Sequence, residues 1–67
     1  MSKTPFHYDL KIQPVEFIVK NDIPFREANI IKYVCRHREK GGIHDLIKAK
    51  HYLDMLIEEY KAEHESD

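Results

Sequence analysis

Residues 26–52 read R-E-A-N-I-I-K-Y-V-C-R-H-R-E-K-G-G-I-H-D-L-I-K-A-K-H-Y, and they contain two helical patterns joined by Gly41-Gly42. Apolar residues recur at helical spacing on both sides of Gly41-Gly42, a pair typical of the point where one helix ends and the next begins. The connection is only two or three residues long. It therefore predicts that the two helices form an antiparallel hairpin or meet at a sharp corner.

Two prolines mark helix starts outside this junction. Pro14 suits the first position of a short helix, and Pro24 gives the start of the second helix. The sequence thus predicts an all-α fold with helices at residues 14–20, 24–39 and 43–62, an N-terminal arm at 1–12 and a frayed acidic tail at 63–67. We expect the 67 residues to form one small domain, because a chain of this length cannot support two cores.

The apolar residues of the two long helices predict what they bury. A coiled-coil-like seam in the third helix, with steps of three and four residues, comprises Leu46, Ala49, Leu53, Leu56 and Tyr60. The second helix carries one strip of Phe25, Ala28, Ile31 and Cys35 and another of Ile30, Val34 and His37. Two strips need two partners, and a chain this short buries only about 60% of its unfolded surface. We therefore expect a homo-oligomeric helical bundle.

Cysteine and hydropathy patterns limit the class of protein. The single cysteine, Cys35, cannot form an internal disulfide, and its place in an apolar strip predicts an inert core thiol. No apolar run approaches the roughly 18 residues of a membrane span, so we expect a soluble, intracellular protein with no membrane association. The spacing of the five histidines does not predict a metal site, and no cofactor is expected.

The net charge is −1, but it is unevenly distributed. Residues 26–51 contain seven Lys or Arg and three acids, which makes this segment +4, whereas residues 54–67 contain six acids and one Lys, or −5. The overall balance makes nucleic acid an unlikely partner. A local basic patch can still hold a small anion, because screened attraction acts over about 8 to 10 Å.

Four residues of the second helix, at i, i+3, i+4 and i+7, are expected on one side of it: Asn29, Lys32, Tyr33 and Arg36. This set suits a nucleotide, since cations bind phosphate, a ring stacks on a base and an amide reads a base edge. Lys40 would add a phosphate contact, and Tyr8 is a second candidate for stacking. The complete set of predicted ligand-binding residues is Tyr8, Asn29, Lys32, Tyr33, Arg36, Lys40, Asp45 and Lys48. Asp45 also suits the first turn of a helix, where the macrodipole stabilises a carboxylate.

Four ordered segments carry a family resemblance. They are H-Y-x-L-x-I-Q-P-x-E-F-I at 7–18, F-x-E-x-N-I-I-K-Y-V-x-R at 25–36, K-G-G-I-x-D-L-x-K-A at 40–49 and Y-L-D-x-L-I at 52–57. Together they resemble the small phage-encoded domain of unknown function found in phage nucleotide kinases that lack a phosphate-binding loop. The resemblance implies a viral protein in the cytoplasm of an infected bacterial host, with a nucleotide ligand. This chain likewise has no G-x-x-x-x-G-K-S/T segment.

Three functions compete on this evidence. The favoured one is a sponge that sequesters a nucleotide-derived host immune signal without converting it, since sequestration needs only affinity. The second is a nucleoside monophosphate kinase or kinase subunit, although phosphoryl transfer requires more enclosure than 67 residues readily offer. The third is a small helix-turn-helix DNA-binding regulator, against which the acids of the third helix argue. Catalytic residues are therefore not assigned.

Overall fold

The computed structural model describes residues 10–64, which form three helices and no strand. Helix α1 spans Pro14–Lys20, α2 spans Phe25–Arg36 and α3 spans Ile43–His64. The predicted all-α class is confirmed for these residues. Tyr8, most of the predicted N-terminal arm and the last three residues of the acidic tail lie outside the described part of the chain.

Helix α1 is short because a side chain caps its C-terminal end directly after Lys20. Pro14 lies in its first turn, where a missing backbone N–H costs no helical hydrogen bond. At the other end, the Asn21 side chain donates from Nδ2 to the carbonyl oxygen of Phe17 at 2.9 Å. Asp22 then adopts a left-handed conformation, with φ of 51°, which turns the chain toward α2. Within the described residues α1 packs against α2 and does not contact α3.

Helix α2 ends at Arg36, so the expected end at residue 39 is wrong by three residues. Residues 37–42 form turns instead, in which the Glu39 and Lys40 N–H groups both bond the Arg36 carbonyl oxygen. The Gly42 N–H bonds the His37 carbonyl oxygen at 2.7 Å, which closes the turn. The early end places the Arg36 side chain next to the start of α3, where it has a partner described below.

Helix α3 runs to His64, two residues beyond the expected end. The ring of His64 stacks on Tyr60 with centroids 4.0 Å apart, and its Nδ1 hydrogen-bonds the Tyr60 carbonyl oxygen at 3.0 Å. These local contacts extend the helix into the segment expected to fray. None of the helices within residues 10–64 has an apolar run long enough to cross a membrane.

Helices α2 and α3 pack together through a small and unusually polar core. Only Pro14, Asp45 and Ala49 are buried among the described residues. Two ion pairs join α2 to α3: Arg26 near the start of α2 reaches Glu59, and Arg36 at its end reaches Asp45. The end of α2 therefore lies beside the start of α3, and its start lies beside the last turns of α3.

This packing corrects the predicted apolar faces. Of the five seam residues of α3, Ala49 is buried, whereas Leu53 is 46% and Tyr60 63% exposed. Phe25 is 72% exposed, and Cys35 is exposed rather than a core thiol. The side of α2 that carries Tyr33 and Arg36 faces α3. Phe25, although largely exposed, meets Tyr52 of α3 edge-on, and the strip residues Ala28, Ile30 and Ile31 are partly exposed.

Candidate functional site

A carboxylate ties the end of α2 to the start of α3. Asp45 is 1% exposed and accepts two hydrogen bonds from the Arg36 guanidinium, from Nε at 3.0 Å and from Nη2 at 3.1 Å. The Gly41 N–H donates to the same carboxylate at 2.9 Å. A bidentate guanidinium pair with an added N–H satisfies a buried carboxylate well. We call Arg36, Gly41 and Asp45 the junction triad.

The two glycines of the junction serve different purposes. Gly42 has φ of 57°, a left-handed conformation that side chains other than Asn rarely adopt. Gly41 is required for space, because a Cβ atom there would come within 2.5 Å of the Asp45 carboxyl carbon. Both N–H groups also donate hydrogen bonds, that of Gly41 to the Asp45 carboxylate and that of Gly42 to the His37 carbonyl oxygen. In this arrangement they do not form a phosphate cradle.

We expect Asn substitutions to distinguish these two roles. Gly42→Asn should be tolerated, because Asn accepts the left-handed conformation and nothing lies within 4 Å of a Cβ there. Gly41→Asn should reduce the free energy of unfolding by about 1–3 kcal/mol, since overpacking would displace the Asp45 carboxylate. Thermal unfolding followed by circular dichroism measures both. Equal losses in the two variants would contradict the assigned roles.

The junction triad fixes the ionisation of Asp45. Hydrogen bonds from the Arg36 guanidinium hold the pKa of this carboxyl below its ordinary value of 3.8. Burial acts in the opposite direction, while the Gly41 N–H and the positive charges of Arg36 and Lys48 lower the pKa further. Asp45 is therefore a carboxylate at neutral pH, and both of its oxygens accept hydrogen bonds from groups of its own chain.

Aromatic rings continue the α2–α3 contact beyond the junction triad. The rings of Tyr33 and Tyr52 lie nearly parallel, at 15°, with centroids 6.1 Å apart, and Phe25 meets Tyr52 edge-on at the same distance. Two cations approach the Tyr33 ring, with Arg36 Cζ at 5.0 Å and Lys48 Nζ at 5.5 Å from its centroid. Such distances permit cation–π attraction. The result is a ring pair in which two cations lie over one ring, that of Tyr33.

A groove opens beside these rings. It has a volume of about 390 Å³ and is lined by Tyr33, Ile47, Lys48, His51 and Tyr52. Rings and an aliphatic side chain form its walls, and Lys48 supplies a cation, a composition that suits a flat heterocycle bearing an anionic group. We call this the aromatic groove.

A second groove, of about 470 Å³, has different chemistry. It is lined by Glu27, Leu56, Ile57, Tyr60 and Lys61. Its walls are mainly apolar, and its carboxylate and its cation carry opposite charges, so it has no excess positive charge for a phosphate. The larger groove is therefore the poorer candidate for a nucleotide site.

Asn29 has an unusual environment for an amide in a helix. Its Nδ2 atom is buried and has no hydrogen-bond partner among residues 10–64. An unsatisfied buried donor is costly, on the order of 1–3 kcal/mol, so an acceptor at this position would be stabilising. The residue also shares its side of α2 with Tyr33, one helical turn away.

The structure brings together part of the predicted ligand-binding set. Tyr33, Arg36, Asp45 and Lys48 form one connected cluster, although Arg36 and Asp45 bind each other. Lys32 and Lys40 are exposed and stand outside the ring and cation contacts described for this cluster. Tyr8 lies outside the described residues.

Sequence reasoning missed three groove residues, Ile47, His51 and Tyr52. Tyr52 is not among the predicted ligand-binding residues, yet a signal was present: it follows Lys48 by four residues and Asp45 by seven, so all three share one side of α3. That side is the one that meets α2. What the sequence lacked was the identity of the facing side chain, Tyr33.

Comparison with models of protein families gives a match over most of the chain. A family model described as "Protein of unknown function (DUF3310)" matches residues 2–54 of the 67, which include α1, α2, the junction triad and the aromatic groove. No curated protein and no solved structure matches the chain significantly. Within residues 10–64, no three His, Cys, Asp or Glu side chains are grouped so that they could hold a metal ion.

Proposed function

This chain belongs to the DUF3310 family, whose description states no function, and we propose from its geometry that it binds a nucleotide or nucleotide-derived anion. The observation that carries the proposal is the aromatic groove, in which Tyr33 and Tyr52 lie beside Lys48. Stacking on a ring contributes about 1–3 kcal/mol per base, and a charge-assisted hydrogen bond about 1.5–3 kcal/mol. Three or four such contacts reach roughly submicromolar affinity.

Each residue has a distinct part in this proposal. A base stacks against Tyr33 or Tyr52, and Lys48 at the rim pairs with phosphate. Asn29 lies one helical turn from Tyr33 and is the candidate for reading a base edge, but its Nδ2 atom is buried and it is not among the lining residues of the groove, so ligand binding would have to expose it. Arg36 contributes positive potential through its place over the Tyr33 ring, and Asp45 holds it there as a positioning residue.

The burial and the hydrogen bonds of Asp45 favour binding without conversion over phosphoryl transfer. A general base must reach a substrate proton, and a magnesium ligand must offer free oxygen lone pairs. The Asp45 carboxylate instead is 1% exposed, accepts three hydrogen bonds from its own chain and has a lowered pKa. It is therefore a weak base with little access to a ligand.

The biological role that suits such a protein is a phage sponge for a nucleotide-derived host immune signal, acting in the cytoplasm of the infected bacterium. Sequestration requires a groove with affinity and no chemistry, which matches the composition of the aromatic groove. The ion pairs Arg26–Glu59 and Arg36–Asp45, at opposite ends of the α2–α3 contact, support the arrangement of these helices as an antiparallel hairpin.

Isothermal titration of the full chain tests this proposal. The ligand panel comprises nucleoside mono- and triphosphates, cyclic dinucleotides and ADP-ribose derivatives, and each ligand is recovered afterwards by chromatography. We expect at least one panel member to bind at submicromolar concentration and to be recovered unchanged. A converted ligand would show an enzyme and favour the kinase alternative.

The helix-turn-helix alternative predicts a different result. A DNA reader would bind duplex DNA with an affinity that falls steeply as salt concentration rises. We expect instead no measurable affinity for duplex DNA at physiological salt. Duplex binding with no response to any nucleotide would overturn the proposed function.

A further inference from the structure

An exposed strip runs along α3 at coiled-coil spacing. Its members are separated along the sequence by three and four residues in alternation: Ile43, Leu46, Lys50, Leu53, Ile57 and Tyr60. The spacing assigns them to positions a and d of a heptad. Every apolar member is 37% to 63% exposed. Over the 17 residue steps from Ile43 to Tyr60 the strip extends about 26 Å. We call it the α3 strip.

The other helices leave most of this strip uncovered; Glu27 of α2 lines a groove beside its last two members, Ile57 and Tyr60. Helix α2 packs on the side of α3 that carries Asp45, Ala49 and Tyr52. Asp45 and Ala49 are buried in this contact. Helix α1 contacts α2 and not α3 within the described residues. Exposed apolar residues at heptad spacing, on a chain with so small a core, indicate a surface for a helix.

We propose that the α3 strip binds the α3 strip of a second copy of this chain, in antiparallel orientation. A second copy supplies the same heptad, so two strips of equal length cover each other completely. Antiparallel alignment about a point between residues 51 and 52 places Ile43 opposite Tyr60 of the partner and Leu46 opposite its Ile57.

The charge on the strip selects the orientation. Lys50 lies at a heptad a position, near the middle of the strip. A parallel pair would put the two Lys50 side chains face to face, which is unfavourable for like charges. In the antiparallel pair each Lys50 lies opposite Leu53 of the partner and next to its Asp54. Within one chain Lys50 already pairs with Asp54 at 3.2 Å, so the exchange between copies conserves this ion pair.

The interface adjoins the aromatic groove. Ile47 lines that groove, and it also lies next to the α3 strip, one residue after Leu46 and four after Ile43. A partner helix on the strip therefore forms an additional wall beside Ile47. Dimerisation itself does not depend on the proposed nucleotide, and its test needs no ligand.

Analytical ultracentrifugation of the full chain, without nucleotide, tests the association. We expect a species of twice the mass of one chain. Leu53→Glu, which puts a carboxylate in the centre of the strip, should convert it to monomer. Val19→Glu is the matched control, because Val19 is 66% exposed but lies on α1, and this variant should remain dimeric. Lys50→Leu should strengthen association at least about tenfold, since two buried cations are replaced by apolar side chains.

Cysteine cross-linking tests the orientation with the central strip intact. In a Cys35→Ser background, the variants Ile43→Cys and Tyr60→Cys are prepared separately, mixed and oxidised. The antiparallel pair brings residue 43 of one copy to residue 60 of the other, so the mixed disulfide should dominate. Predominant 43–43 and 60–60 disulfides would instead show a parallel pair.

Three results would overturn the proposal. They are a monomer at every concentration, a dimer that survives Leu53→Glu as well as Val19→Glu, and a dimer lost on Val19→Glu alone. Circular dichroism of each variant separates dissociation from unfolding: a helical Leu53→Glu monomer supports the interface directly. If that variant unfolds, the cross-linking result, in which only the two ends of the strip are altered, decides between the orientations and shows the contact by itself.

Discussion

Replacing Asp45 with asparagine is expected to cause the largest loss of stability among single substitutions of polar side chains in this protein. The change removes a carboxylate that binds both Arg36 and the Gly41 N–H. The neutral amide cannot accept the bidentate guanidinium pair, and its NH₂ group would face another donor. Since this contact joins the end of α2 to the start of α3, its loss should separate the two helices at the junction. Thermal unfolding followed by circular dichroism measures the effect.

The matched control is Glu16→Gln, which also removes one carboxylate from an ion pair. The Glu16–Lys20 pair spans one turn of α1, and its side chains are 50% and 72% exposed. Pairs of this kind contribute only about 0.3–0.5 kcal/mol. We therefore expect the melting temperature to change little in the control and to fall by several times as much in Asp45→Asn. Similar changes in both variants would show that the junction triad does not hold the helices together.

Stability should also depend on pH through Asp45. Its pKa in the folded protein lies below 3.8, so the unfolded chain binds more protons in this range. The stabilisation from the ionised group is thus fully present above about pH 3.8 and is lost as pH falls through the folded-state pKa. In Asp45→Asn this contribution to the pH dependence should be absent. Denaturation curves at several acidic pH values, compared between the two proteins, provide the measurement.

Loss of the Tyr33 ring is expected to have the largest effect on ligand binding. Tyr33→Leu retains an apolar side chain but removes the surface on which a base stacks, together with the ring over which Arg36 and Lys48 lie. Stacking of about 1–3 kcal/mol corresponds to an affinity loss of about five- to 140-fold. Tyr33→Phe retains the ring and should bind almost as well as the unaltered protein. Titration with the best ligand of the nucleotide panel tests this.

Substitution of Lys48 provides a second test of ligand binding, with a well-matched control. Lys48→Ala removes the cation of the aromatic groove, and Lys61→Ala removes a cation of the apolar groove at the other end of α3. The two variants have the same net charge. Phosphate binding by Lys48 predicts weaker binding, with a smaller salt dependence, in Lys48→Ala alone. Equal losses would indicate general attraction by the net charge and contradict the site.

Arg36→Ala is a less informative variant than its position over Tyr33 suggests. The Arg36 guanidinium belongs to the junction triad, so removing it leaves the buried Asp45 carboxylate without its principal partner. Any loss of binding would then combine altered charge with altered packing of α2 on α3. Lys48 and Tyr33 can be changed without breaking this contact.

Local sequence alone determined the number and type of the helices. Pro14 suits a first turn and Gly42 a left-handed turn, and these preferences act over a few residues without distant contacts. The apolar spacing along α3 predicted a seam, but the packing against α2 does not follow it, since Ala49 is buried whereas Leu53 and Tyr60 are exposed. The sequence also identified Tyr33 and Lys48 as candidates for one site, because the basic segment and the helical spacing are visible in the chain.

The tertiary structure decided which faces meet. Helical spacing shows that residues share a side, but it does not show which side packs, and here α2 turns Tyr33 and Arg36 inward while Phe25 stays exposed. The Arg36 side chain at the end of α2 binds a carboxylate nine residues later, and the need for Gly41 depends on that same carboxylate. These features arise from contacts between two helices. Local preference contains no information about them, because the free energy of a buried ion pair depends on both partners and on the space between them.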